Sequence, residues 1–241
     1  MTLNYPCKPS GLYVMSRDDI EQLSHQILSE RQPKVLEKPM ALDIDELMKE
    51  GFYLEIKDAL LSESGSLLGL ITFVDRNIPT YDEAFNETSL KADVGTVVID
   101  KRLYKIPTRC RFTKAHELSH WILHRKFYSP IKKSYSFRKC ECSYIACRQE
   151  AIGRKNPTEA KTDYDWSEWQ ADCLGAALLM PATTFVPAAQ AILHKNGFEE
   201  LKLVYGSNDD RATSVISELA KIYEVSMRSV CIRLKTFGFY Y

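Results

Sequence analysis

Two histidines four residues apart with a glutamate between them, HELSH at 116–120, constrain this chain more than any other feature. On an α-helix a four-residue step returns a side chain to the same face one turn on, so both imidazoles can reach one ion. At about 100° per residue, Thr113, His116, Glu117, His120 and His124 share an arc of roughly 100°. Phe112, Ala115, Leu118, Ile122 and Leu123 take the opposite side. The pattern predicts a helix over 108–124, with Pro107 in its first turn, one apolar face for a core and one imidazole face turned to a cleft. The bland alternative is a surface helix with histidines on its wet side.

Two histidines are too few for a catalytic zinc, which takes three protein ligands and leaves a fourth position to water. A third histidine ten residues after the first would mark the metzincin arrangement, but Lys126 stands there and the expected glycine is absent. A carboxylate is the remaining choice. In DYDWSEWQADCLGAALLMP, Glu168 and Asp172 lie four apart and face the same way on one helix. Glu168 suits a direct ligand, and Asp172 can accept the outer N–H of a ligand histidine, fixing its tautomer. Asp163 and Asp165 are rival ligands, and Glu168 read blandly is an exposed acid at a helix start. Ala171 and Gly175 border the same face and allow close approach to the histidine helix.

Around this pair the chain reads as α+β, with a small, mainly antiparallel sheet packed on helices and a helical pair at the C-terminus. Ser16 and Asp19 have capping-box spacing for a first helix over 16–30. A short helix over 43–50 closes at Gly51, and 52–57, 69–74 and 95–100 have the β-branched and aromatic content of strands. A helix resumes near Trp166 and stops before Pro181, another covers 187–195, and 209–241 reads as two helices with a break at Val225 and Ser226. Between the two motif helices, residues 125–161 carry ten Lys or Arg against three Glu and little apolar periodicity, which suggests a surface insertion over about 125–165. The expected division is one domain over 1–205 and a small helix-turn-helix-like region over 206–241.

Thirty-two basic residues balance thirty-two acidic ones, so no net field favours nucleic acid or an anionic membrane. Seven cysteines, an odd number at irregular spacing, point to reduced thiols, and the first residues lack the pattern of a secretory signal. The expected compartment is the cytoplasm, with no membrane partner. Cys140, Cys142 and Cys147 have no standard zinc-ligand spacing and read as free thiols, and Cys173 reads as core.

RFTKAHELSHWILH followed by EWQADCLGAALLMP resembles the ImmA/IrrE-type metallopeptidases. The resemblance also takes in GTVVIDKRL before the metal helix and, more loosely, the C-terminal helix pair; the N-terminal forty residues and the insertion lie outside it. It implies a zincin-like, thermolysin-like core, with His116, His120 and Glu168 holding one divalent ion, zinc first and manganese as an alternative, and Glu117 as the catalytic glutamate. It further implies a protein substrate, a DNA-binding helix-turn-helix repressor whose cleavage switches on stress or mobile-element genes. The long gap between His120 and Glu168 departs from the family pattern.

Other features carry less. His124 could approach the site from one turn further along, but it reads first as a histidine favouring the helix C-terminus, where a cation is stabilised. Tyr128, Tyr135 and Tyr144 are candidate oxyanion donors, though tyrosines more often pack. The tail SVISELAKIYEVSMRSVCIRLKTFGF offers Arg228, Arg233 and Lys235 to a DNA phosphate, a thin footprint that favours packing or substrate recognition over DNA binding. The rival functions are a non-catalytic regulator that binds DNA or a repressor through this tail, and hydrolysis of a non-peptide bond.

Overall fold

The computed structural model describes residues 3–128, 144–148 as strand backbone, 162–204 and 209–240. Tyr135, Cys140, Cys142 and most of the expected insertion lie outside the described residues. By internal packing the chain forms two units: Met1–Ile20 with Ile44–Gly175, and Glu21–Asp43 with Ala176–Tyr241.

The first unit is α+β. Its strands are β1 (Glu55–Ala59), β2 (Leu67–Thr72), β3 (Arg76–Tyr81), β4 (Glu87–Ala92), β5 (Thr96–Asp100) and β6 (Tyr144–Arg148). The main sheet runs β1-β5-β2-β6. It is mixed: β1 and β5 pair in parallel, and β2 is antiparallel to β5 and to β6. A mainly antiparallel arrangement was expected, and the β2–β5, β2–β6 and β3–β4 pairings are antiparallel; the sheet is mixed because β5, laid down after β2 and the hairpin, lies alongside β1 in the same direction. Every residue of β5 is buried, as befits a central strand covered on both faces. Ala59, Leu61, Leu70, Val98, Ile78 and Ala92 form one apolar cluster joining the sheet to the hairpin.

Three strands were invisible in the sequence. Pro79 sits in the middle of β3, and β4 reads ETSLKA with only its last residue buried, so neither shows an apolar run. β6 rises from the basic stretch expected to be an insertion and pairs Tyr144 with Thr72 and Ile145 with Ile71.

Helix α1 (Arg17–Arg31) begins at the expected box, where the Ser16 amide donates to Asp19 Oδ2 at 2.7 Å and the Asp19 amide to Ser16 Oγ at 3.1 Å. The second unit is helical: α2 (Lys34–Glu37), α6 (Ala182–Lys195), α7 (Asp210–Tyr223) and α8 (Met227–Thr236). The short helical segment Ile44–Glu46, α3, belongs to the first unit. The helix expected over 187–195 starts earlier and carries Pro187 inside it. Ala212, Val215, Ile216, Leu219 and Tyr223 form the buried stripe of α7, and Glu224, at φ 50°, turns the chain toward α8, which Ser226 caps. Among the described residues no single helix is long and apolar enough to cross a membrane.

Candidate metal centre

The helix that carries HELSH is α4, Pro107–Tyr128, and it rests on β2. Its entry is fixed from the end of β5. Asp100 accepts from the Leu61 amide at 3.1 Å, the Arg102 amide at 3.0 Å and the Arg102 guanidinium at 2.7 Å, which holds the tight turn Lys101–Lys105 before the helix. Burial works to raise the Asp100 carboxyl, but these bonds and the Arg102 charge hold it below the ordinary carboxylate range. Closeness to the sheet depends on Gly69, where an added Cβ would come 2.7 Å from Thr113 Cγ2. The helix is more deeply sunk than its two-faced pattern suggests, for every residue from Thr113 to His120 is buried. The cleft-facing or wet imidazole face is therefore an interior one, packed against the second motif helix.

That second helix is α5, Asp163–Leu179. A Cβ built on Gly175 would stand 3.3 Å from Ala115 C and His116 N, so the missing side chain lets α5 pass against the α4 backbone at the first histidine. Glu168, 5% exposed, is then carried to the paired imidazoles. Its Oε2 lies 3.5 Å from His116 Nε2 and its Oε1 3.5 Å from His120 Nε2, and the two Nε2 atoms are 3.0 Å apart. The reading of Glu168 as an exposed acid does not describe it. Both rivals are occupied at the helix start: Asp163 accepts from Lys8 and Ser10 at 2.6 Å each, and Asp165 forms a capping box with Thr162.

Asp172, one turn beyond Glu168, places Oδ1 2.9 Å from His116 Nδ1. Of the two readings of His124, the helix-end one fails, because α4 continues to Tyr128; His124 is wholly buried and approaches the site, with Nδ1 2.9 Å from His120 Nδ1. Its Nε2 is 3.0 Å from Gln170 Oε1, and the Gln170 amide donates to the Tyr13 carbonyl at 2.8 Å. Sequence reasoning missed Gln170 altogether. The second step of four residues, from His120 to His124, was the signal for His124.

No family model matches this chain, and no curated protein matches it at a significant level.

A divalent cation fits these residues. Nε2 of His116, Nε2 of His120 and a Glu168 oxygen lie within 4.8 Å of one another, all buried, and their 3.0 and 3.5 Å spacings suit donors sharing an ion at zinc's bond lengths of about 2 Å. Both Glu168 oxygens are buried without a hydrogen-bond partner among the described residues. Such a carboxylate costs several kcal/mol unless a cation compensates it. In the metal-free chain a proton substitutes. Burial disfavours a charge on His116, yet its hydrogen bond with Asp172 and the carboxylate charges of Asp172 and Glu168 outweigh that and raise its pKa well above the ordinary histidine value. Burial, with the charge on His116, pushes His120 well below that value and His124 down to about 3.

The remaining candidates separate. Glu117 is 0% exposed, on α4 between the two histidines. Tyr128 is buried, its ring stacked on Phe73 and its hydroxyl 2.8 Å from Ser167 Oγ, which is a packing arrangement. Cys173 is half-buried rather than core, and Cys110 is buried.

Proposed function

We propose that the chain is a zinc-dependent endopeptidase of the ImmA/IrrE type with a zincin-like core, cleaving a helix-turn-helix repressor in the cytoplasm and thereby releasing stress or mobile-element genes. The observation that carries the reading is the buried convergence of His116, His120 and Glu168 from two helices, with Glu117 inside the same helical turn as the histidines. The RFTKAHELSHWILH and EWQADCLGAALLMP resemblance supplies the substrate class.

When bound, the ion supplies Lewis acidity, lowering the pKa of water and polarising the scissile carbonyl. The chain's own groups supply position and proton traffic. His116, His120 and Glu168 are the holding set, and Asp172 accepts the His116 Nδ1 proton so that Nε2 keeps its lone pair for the ion. Glu117 takes the proton of the attacking water on a carboxylate oxygen and returns it to the departing amine. No covalent acyl intermediate is required.

The test is to mix the full chain, zinc or manganese, and the repressor encoded beside its gene, and to follow fragments by mass spectrometry. Defined fragments that vanish with Glu117→Gln are expected. Absence of cutting under every metal condition, or cutting that Glu117→Gln leaves unchanged, overturns the reading. The DNA-binding alternative loses a cation from its footprint, because Arg233 is 2% exposed and directs its guanidinium to Glu21 and to the Met180 carbonyl rather than to solvent.

A further inference from the structure

We propose that Gln170 and His124 are positioning residues: a neutral hydrogen-bond relay that starts at the Tyr13 carbonyl and fixes His120 in the tautomer whose Nε2 lone pair faces the metal position. The inference rests on the metal-site reading and extends it to residues that touch no ion.

The direction of every proton in the relay follows from its far end. A main-chain carbonyl can only accept, so the Gln170 atom 2.8 Å from Tyr13 O is the amide nitrogen. That fixes the amide's orientation, and its oxygen is the atom 3.0 Å from His124 Nε2. An amide oxygen also only accepts, so His124 carries its hydrogen on Nε2. A neutral imidazole has one N–H, which leaves His124 Nδ1 as an acceptor. His120 Nδ1, 2.9 Å away, must then be the donor. The single hydrogen of His120 is thereby placed on the far side of its ring. Its Nε2 is left as a lone pair, 3.0 Å from His116 Nε2 and 3.5 Å from Glu168 Oε1.

His124 must be neutral for this to hold. Its two ring nitrogens face an imidazole and an amide, both uncharged, and it is wholly buried, so a charge there lacks compensation. Were it charged, its Nδ1–H would drive the His120 hydrogen onto Nε2 and close the metal position. The two ligand histidines thus reach the same tautomer by different routes. His116 leans on a carboxylate, Asp172, whose side chain is 19% exposed, whereas His120 leans on an uncharged chain sealed from solvent and anchored to the backbone.

Two measurements on the full-length chain test the relay. Long-range proton–nitrogen NMR of the histidine rings, with and without zinc, is expected to show His120 protonated on Nδ1 and His124 on Nε2 in both states. A proton on His120 Nε2, or on His124 Nδ1, overturns the relay. Zinc affinity by chelator competition supplies the second reading. His124→Leu removes the acceptor and is expected to weaken zinc by about 10- to 100-fold, the usual cost of removing an outer partner. His124→Asn, which can still present an oxygen to His120 Nδ1, is expected to recover most of that loss. Equal affinities for the Leu and Asn variants count against the relay. If a variant does not fold, the spectrum of the unsubstituted chain decides. Failure of the metal reading looks different: the unsubstituted chain binds no zinc, while its metal-free spectrum still reports the tautomers.

Discussion

Two of the places where this molecule buries charge-bearing groups do so in opposite ways. On α8, Arg233 is 2% exposed and four of its five N–H donors are engaged: Nη1 and Nη2 reach the Glu21 carboxylate, Nη2 at 2.8 Å, while Nε and Nη2 reach the Met180 carbonyl at 3.1 and 2.8 Å. Between α4 and α5 the count does not close: both Glu168 oxygens are buried with no hydrogen-bond partner among the described residues, and they face two imidazole Nε2 atoms 3.0 Å apart. A saturated buried charge is explained by the fold that surrounds it. A converging set of acceptors asks for a cation from outside, and that difference separates a structural clamp from a site of chemistry.

The largest expected effect is on the open cluster. On the peptidase reading Glu117 is the base and not a ligand, so with Glu117→Gln cleavage should fall by about 10³-fold while zinc stoichiometry stays at one, checked by single-turnover kinetics beside metal analysis. A parallel loss of metal would mean that Glu117 holds the ion instead. Next comes the saturated clamp. Arg233→Ala strands the Glu21 carboxylate and should lower unfolding free energy by about 3 kcal/mol in urea titration, with zinc content unchanged. Were zinc lost as well, the contrast between clamp and site would fail.

Zinc itself should stabilise the chain. At a hundred times its dissociation constant it contributes about 2.7 kcal/mol and raises the melting temperature, and Glu168→Ala should remove most of that increment. The smallest effect concerns Asp100, which has a depressed pKa in the folded chain. The unfolded carboxyl takes up a proton near pH 3.9 and the folded one only at lower pH. The stabilisation is therefore complete above the unfolded value and disappears as pH falls through the folded one. Asp100→Asn should cost about 2 kcal/mol at neutral pH and flatten the acid limb of the stability curve. An unchanged acid limb would remove Asp100 from the account of how α4 is anchored.

How legible the fold and site were depends on what a local pattern can carry. A four-residue step says which side of a helix a group is on, and that placed His116 with His120 and Glu168 with Asp172 before any coordinates. It does not say whether that side meets water. His124 therefore read as a cation at a helix end, although α4 runs on through Arg125 to Tyr128 and buries it. Gln170 gave no signal, since its role depends on a carbonyl 157 positions away. Among strands, β2 and β5 show as apolar runs, whereas Pro79 and the polar sequence of β4 conceal the hairpin. β6 owes its place to pairing with β2, a long-range cause that its own composition does not record.

Gly175 brings no donor to the cluster, yet the gauge of the whole cradle is set there. Any larger residue must shift the α4 backbone or its own helix by a few tenths of an ångström, and Asp172 and Glu168 ride on that helix about one and two turns earlier. A bare Cα hydrogen thus works as the shim between the two helices, and the aperture available to an ion is machined at a position that never touches it.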